Sequence, residues 1–376
     1  MKKQIFRWIC MISIATIYII VLLFVRLSST RNLQVRLYDQ WKKIYVVSKN
    51  GRSFVNVSNR SNEKKSLSES QGYGMLVTFL AAEKGYASKK DFDEFFKYYE
   101  TQIDKKTGLV SWEQIEIANK IKKSSNDSTE GDLLIADALI QASEKWPNSK
   151  NNYRKAAKKI LNAVLRNNYN RKLHILTIGN WAEVSSHYNS LIQTSDVMPI
   201  QFSKFYKVTG DSRWNLIKKT MLKKLLYISN NNKTGLLPDF AWVSGSKAKP
   251  VRASQIVSKY DGSYYYYASK IPMNLAGCSD ARSKKILHKL MMFFSKENNI
   301  TAGYKLNGKR LNNYQSATFS APLFYAASKY SRYLSLYNQE KYFLMQNIQK
   351  NNYYGSTLSL LVALKVFGNS NTEGKR

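Results

Sequence analysis

Leu67-Ser68-Glu69-Ser70-Gln71-Gly72-Tyr73-Gly74-Met75 places one carboxylate, Glu69, between small residues and ahead of a Gly-Tyr-Gly turn. The turn runs into an apolar helix expected from Met75 to Ala82. Partial desolvation at a crowded helix entrance, beside an aromatic ring, raises a carboxyl pKa. A raised value suits a proton donor working near neutral pH. The same residue also reads as an acid placed at a helix N-terminus for the macrodipole.

A second acidic helix start lies about sixty residues on. Ser128-Thr129-Glu130-Gly131-Asp132-Leu133-Leu134-Ile135-Ala136-Asp137-Ala138-Leu139 sets Thr129 before two acids and an apolar run of helical period. An N-cap followed by acids in the first turn explains it structurally. Two such starts also suit a toroid of helices whose N-termini converge on one cleft.

This pair of motifs resembles glycoside hydrolase family 8, the inverting endo-glucanase, chitosanase and xylanase family with an (α/α)6 barrel. The family's general acid lies in a Ser-Glu-Gly-Gln-Gly-Tyr-Gly-Met-like motif, matched from Ser68 to Met75 with Ser70 in place of glycine. Its Ala-Thr-Asp-Gly-Asp motif is matched from Ser128 to Trp146, with Glu130 for the first aspartate. Ser195-Asp196-Val197-Met198-Pro199 with Thr209-Gly210-Asp211-Ser212-Arg213-Trp214 is similar to a third block. Gly235-Leu236-Leu237-Pro238-Asp239-Phe240, Lys259-Tyr260-Asp261-Gly262 and Tyr353-Tyr354-Gly355-Ser356-Thr357-Leu358 extend the likeness from about residue 36 to 368.

The resemblance implies Glu69 as general acid, with Glu130 and Asp132 holding a distorted sugar ring through its hydroxyls. It leaves the general base open. One branch of the family has Tyr-Asp-Ala-Ser-Arg-Val-Pro where this chain reads Tyr266-Tyr267-Ala268-Ser269-Lys270-Ile271-Pro272. Another uses a glutamate on a loop that here reads Ser254-Gln255-Ile256-Val257-Ser258 and holds no acid. Inversion needs a carboxylate on the far side of the sugar to activate water, with the two carboxyls roughly 6.5–9.5 Å apart. Asp261, Asp239 and Asp196 are the candidates. Asp261 is nearest in sequence to both lost positions and is the expected base, although an Asp-Gly pair is also an ordinary turn. The alternative is a carbohydrate-binding protein on the same fold, its catalysis weakened or lost.

The residues themselves read as all-α: helices are expected at 35–47, 72–84, 89–102, 131–146, 150–167, 189–208, 211–228, 265–277, 280–296, 318–334, 338–349 and 354–367. That makes six helical hairpins. The polar stretch 48–65 reads as a loop over the cleft. The 26 Tyr and 7 Trp suit a sugar cleft, and Trp112, Trp181, Tyr188, Trp242, Asp196 and Tyr267 are the expected substrate contacts.

Trp8 to Val25 is an uncharged run of 18 residues behind Lys2, Lys3 and Arg7. It is long enough to span a bilayer with slight thinning and is followed by no Ala-x-Ala site. An uncleaved anchor with the globular part outside is therefore expected, with secretion after signal cleavage as the alternative. The basic N-terminal end favours this orientation, and Arg26 and Arg31 beyond the span oppose it. The domains are expected as 1–30 for anchor and connector, 31–368 for the barrel and 369–376 for a disordered tail. Cys10 and Cys278 form no intradomain disulfide, and the three histidines show no ligand spacing. No metal and no cofactor are expected. The net charge of +34 is spread without an Arg-rich tract, which argues against nucleic acid. It suits attraction to anionic lipids or wall polymers. The expected partner is a polysaccharide or oligosaccharide.

Overall fold

A computed structural model describes residues 2–118 and 120–367; the expected tail at 369–376 lies outside the described residues. Twelve α-helices are described: α1 (Lys2–Tyr45), α2 (Ser68–Glu83), α3 (Lys89–Gln102), α4 (Thr129–Lys145), α5 (Tyr153–Asn167), α6 (Pro199–Thr209), α7 (Arg213–Asn230), α8 (Ile271–Leu275), α9 (Ala281–Phe294), α10 (Ala317–Ala327), α11 (Leu334–Leu344) and α12 (Tyr353–Val366). Even-numbered helices form an inner ring in which each packs on the next and α12 closes on α2. Odd-numbered helices pack outside them, α1 against α12 and α3, α5, α7, α9 and α11 against their chain predecessors.

Residue patterning decides which helix goes inside. α2 is buried without interruption from Ser68 to Phe79 and α12 from Gly355 to Ala363, as helices apolar on every side must be. α5 instead buries Tyr153, Ala157, Ile160, Leu161 and Val164 and turns its lysines outward, the stripe of an outer helix. Local capping sets the ends. Ser88 and Asp91 form a capping box at α3, and Asn152, Asp280 and Asn352 accept first-turn amides of α5, α9 and α12.

Ten short strands sit in the loops: β1 (Val46–Lys49), β2 (Arg52–Val55), β3 (Glu63–Leu67), β4 (Glu113–Ile117), β5 (Lys120–Lys123), β6 (Tyr169–Asn170), β7 (Ile175–Leu176), β8 (Leu191–Gln193), β9 (Phe240–Ser244) and β10 (Lys247–Pro250). They pair antiparallel as β1-β2, β3-β4-β5, β6-β7 and β10-β9-β8. The expectation of a purely helical chain is corrected to that extent. The stretch 48–65 expected as a loop carries half of β1, all of β2 and part of β3. Its polar side chains conceal the pattern: β1 goes from half-buried to exposed, β3 is mostly half-buried, and β2 buries Ser53 along with Phe54 and Val55. The helix expected over 189–208 divides into a 3-10 turn, β8, a second 3-10 turn and α6, which starts at Pro199, where a missing N–H costs nothing. The helix expected over 265–277 shrinks to a 3-10 turn at Ala268–Lys270 and α8.

The polar connector expected at 27–34 is absent: α1 runs unbroken from Lys2 to Tyr45. Its part from Gln4 to Leu22 is long and apolar enough to cross a bilayer and is bare of protein contacts. Its other end is core, with Leu37, Tyr38, Trp41 and Tyr45 buried. Trp41 Nε1 donates to Thr357 Oγ1 of α12 at 2.9 Å.

Two glycines let α2 and α4 touch. A Cβ on Gly131 would stand 2.1 Å from Ser68 Oγ and 2.8 Å from the Ser68 carbonyl carbon. A Cβ on Gly72 would stand 2.6 Å from Leu134 Cβ. Neither neighbour is a flexible side-chain end, so the helices must part. Gly72→Ala and Gly131→Ala are each expected to cost about 1–3 kcal/mol in urea unfolding, and Gly131→Ala also to lower activity. Wild-type stability in both variants would show that the two helices are not in this contact.

Candidate active site

The β3-β4 ladder and the helix contact together place Glu69. Leu67 pairs with Glu113, and the Ser68 N–H donates to the Trp112 carbonyl at 2.8 Å. Ser70 then fastens the helix entrance, its Oγ accepting the Leu67 N–H at 2.9 Å. Across the Gly131 contact, Ser128 occupies the N-cap of α4 but leaves the first-turn amides alone. Its hydroxyl instead donates to Glu69 Oε1 at 2.7 Å. Ser68 Oγ approaches Glu69 Oε2 at 3.4 Å.

Glu69 lies at the centre of a buried charge cluster. Burial raises its pKa, and the Glu130 carboxylate pushes it further; the Ser128 hydroxyl opposes both. Glu130 forms an ion pair with Lys270, and Gln193 Nε2 donates to Glu130 Oε2 at 2.7 Å. The same Gln193 amide reaches Asp196 Oδ1 at 2.8 Å. Burial lifts Asp196 well above the ordinary carboxylate range, with Glu130 adding and Lys270 opposing. Glu69 is 7% exposed, whereas Glu130 and Asp196 are each 1%. Glu69 is therefore the carboxyl of this cluster that solvent or a ligand reaches most easily.

The expected residues fare differently. Glu130 and Asp196 are brought within the field of Glu69. Asp132 is corrected: it is wholly buried and its Oδ1 accepts the Val110 N–H at 3.0 Å, which turns it to the loop before β4. Burial and the neighbouring Asp127 carboxyl push Asp132 well above the ordinary carboxylate range. Asp261 is corrected as well. Its carboxylate accepts the N–H groups of Ile256 at 2.6 Å, Ser258 at 2.8 Å and Val257 at 3.1 Å. Both oxygens thus bind the 254–261 loop, the turn reading of the Asp-Gly pair. Asp239 accepts the Ala268 and Tyr265 amides at 2.8 and 3.0 Å, yet burial still lifts it to about 8.

Aromatic residues expected in the cleft do assemble. Trp181 and Tyr188 lie 5.3 Å apart between ring centroids, and Tyr188 and Trp242 5.9 Å. The β8-β9 register, which sets Leu191 opposite Trp242, brings the last two together. His187 joins them, 5.2 Å from Trp242. Trp112 is 40% exposed beside the Glu69 entrance. Tyr267 packs on Phe240 at 5.1 Å, with Lys270 Nζ 5.5 Å from its ring. Burial, with Glu69 second, raises the Tyr267 phenol, which stays neutral.

Sequence reasoning missed Ser128, Gln193 and Asp127. Ser128 stands one residue before Thr129, which the sequence sets ahead of the two acids, and nothing local says that the Ser128 hydroxyl turns to Glu69. Gln193 lay inside a segment read as helix, which hid its place at a strand end. Asp127 precedes the acidic motif by one turn, and only its contacts with Asn168 Nδ2 and the Asn180 N–H, both 2.6 Å, show it to be buried. Among the described residues no group of three or more His, Cys, Asp or Glu is placed to hold a metal ion.

Known proteins are similar to this chain in sequence and fold. Residues 10–367 match the model of Glycosyl hydrolases family 8. A beta-glucanase of Niallia circulans is 32% identical over 299 residues, covering 76% of this chain and 72% of its own. An endoglucanase of Bacillus sp. (strain KSM-330) is 28% identical over 364 residues, 91% of this chain and 77% of its own. The apo structure of a beta-1,3-1,4-glucanase from Paenibacillus sp. X4 superposes with a TM-score of 0.83 at 28% identity, covering 90% of this chain and 92% of that one. With a buried acid on the inner helix start, a second on its neighbour and the family's model matched almost end to end, the chain belongs to glycoside hydrolase family 8.

Proposed function

We propose that the protein hydrolyses β-1,4-linked glycosidic bonds within a glucan-like polysaccharide at the cell surface, by inversion. Glu69 carries this reading: a carboxyl whose pKa burial raises, held by the Ser128 hydroxyl in the first turn of an inner helix. It would give its proton to the glycosidic oxygen as the bond to the anomeric carbon breaks. Glu130, fixed by Lys270 and Gln193, would orient the ring hydroxyls at the scissile bond. Trp181, Tyr188 and Trp242 would stack on neighbouring sugars, and Trp112 on the side of the acid. The relatives named above support a glucan, and the apolar part of α1 supports an anchored enzyme with its domain outside.

Water activation falls to Asp196. Asp261 has both oxygens on backbone amides and Asp239 has one oxygen on two of them, whereas Asp196 is within the field of Glu69, Glu130 and Lys270. Both Glu69 and Asp196 stand above the ordinary carboxylate range, so only the fraction with Glu69 protonated and Asp196 ionised turns over. A second reading, a carbohydrate-binding protein with catalysis lost, draws on two observations: Tyr267 occupies the family's aspartate position, and Asp196 is almost fully buried.

Release of reducing ends from carboxymethylcellulose, mixed-linkage glucan, chitosan and xylan separates the two. Glu69→Gln is expected to lower hydrolysis about 10²–10⁴-fold, the share a general acid supplies, with glycan affinity kept. If wild type releases no more than Glu69→Gln on every polymer, the binding reading stands.

Tyr267→Asp, which returns a carboxylate beside Lys270, is expected to raise turnover at least about tenfold if water activation is what limits the enzyme. Unchanged or lower turnover would mean that the native carboxylates already suffice.

The pH dependence of kcat/KM follows from the same shifts. Activity rises as the base ionises and falls as the acid loses its proton. Both groups are raised, so both limbs move to higher pH than two ordinary carboxyls near 4 would give. A bell centred near pH 4 would contradict the burial of the pair.

A further inference from the structure

We infer that the base of the barrel, the face opposite the cleft, rests on an anionic lipid surface and that the cleft therefore opens away from the membrane. This rests on the reading of α1 as a membrane anchor.

The direction of α1 sets the orientation. α1 and α12 run antiparallel. Gln34 Nε2, near the entry of α1 into the domain, donates to the Ala363 and Phe367 carbonyls at the C-terminal end of α12, at 2.8 and 2.9 Å. Tyr45, at the far end of α1, packs on Tyr353 at the N-terminal end of α12 with centroids 5.4 Å apart. The inner helices share that polarity. Tyr353 Oη meets the Ser70 carbonyl at the α2 N-terminus, Lys84 Nζ meets the Phe367 carbonyl at its C-terminus, and Lys145 of α4 pairs with Glu83 of α2. Glu69 and Glu130 sit in the first turns of α2 and α4. The cleft is thus at one end of the barrel, and the apolar part of α1 leaves from the other.

The spacing brings that other end to the lipid. Nine residues separate Val25, the end of the uncharged run, from Gln34. That is roughly 13 Å of helix, against a headgroup layer of roughly 5–7 Å on each side of a bilayer. The remaining gap lies within a Debye length of about 8 Å. α1 is unbroken across it, so no hinge lets the domain turn over.

The charge of this end fits the same partner. The turns joining inner to outer helices here are 83–90, 144–155, 207–213, 277–285 and 328–332. They hold fourteen Lys and Arg against four Asp and Glu. Three of the four acids are already paired, Glu83 with Lys145, Asp211 with Arg213 and Asp280 with Arg282. Lys90, Lys150, Lys155, Lys207, Lys285 and Lys329 are exposed, and none has an ion-pair partner among the described residues. Five separate turns converge on one plane with the same sign. A surface charged merely for solubility has no need of that concentration at the face nearest the anchor.

The test uses the full chain in lipid nanodiscs carrying an acceptor dye on some headgroups, made either of phosphatidylglycerol or of phosphatidylcholine alone. With Cys10 and Cys278 replaced by serine, a donor dye is placed through Ser279→Cys in a basal turn or through Val184→Cys, 90% exposed on the cleft rim. Energy transfer from position 279 is expected to exceed that from 184 severalfold in phosphatidylglycerol. It is expected to fall in phosphatidylcholine and in the combined Lys207→Glu, Lys285→Glu, Lys329→Glu variant, whose hydrolysis of soluble oligosaccharides should not change. Equal or reversed transfer overturns the orientation, and transfer indifferent to lipid charge overturns the electrostatic contact. A chain that never enters the discs overturns the anchoring reading and this inference together.

Discussion

The contact between the first turns of α2 and α4 is the constraint on which the site depends. Two helices meeting backbone to backbone need residues without a Cβ at the crossing, and Gly72 and Gly131 supply them. The closeness has an electrostatic consequence. Glu69 and Glu130, one residue inside each helix start, are brought within each other's field in a place that water barely enters. Two unscreened carboxylates there would repel strongly. The fold answers with one cation, Lys270, delivered to Glu130 by the segment before α8, and with the Ser128 hydroxyl on Glu69. One acid is thereby paired as an anion while the other keeps its proton more readily.

The ring explains why such a cluster forms at one end only. All the inner helices point their N-termini the same way, so whatever occupies a first turn or the residue before it faces a common space. The antiparallel strands β3, β4, β8 and β9 then build the walls of that space from loops. Helices alone would leave the acids in a shallow dish. The β8-β9 pairing raises Tyr188 and Trp242 into a shelf along it, which is the shape an extended chain of flat rings needs.

Much of this could be read from the residues. The helical hairpins, the acid at position 69 and the aromatic group emerged because each leaves a local signature: apolar period, a glycine-flanked acid, loop aromatics near a motif. Short strands left none. Lys120-Ile121-Lys122-Lys123 and Glu63-Lys64-Lys65-Ser66-Leu67 are chosen for edge and surface positions, where alternation is lost. The two misread aspartates share another cause. Asp132 and Asp261 look like site acids in the chain because each sits in a motif. Only the folded chain shows Asp132 buried on the Val110 N–H beside the Asp127 carboxyl, and Asp261 with both oxygens on three amides of its own loop.

The three departures from the family motifs make sense together. Where the resemblance expects aspartate, arginine and aspartate, this chain has Glu130, Lys270 and Tyr267. A lysine ammonium offers a point contact rather than the flat fork of a guanidinium, and a glutamate reaches one methylene further than an aspartate. The Glu130–Lys270 pair thus re-forms across the same gap. Had position 267 kept a carboxylate, Lys270 would be shared between two anions. With a tyrosine there, whose neutral ring lies beside the ammonium, Lys270 serves Glu130 and lends only its field to Asp196. Moving from two carboxylates around an arginine to one carboxylate, one lysine and one neutral phenol brings these three groups from a net negative charge to balance. On the proposed reading it also leaves position 267 without a carboxylate, so that water activation has to come from another acid.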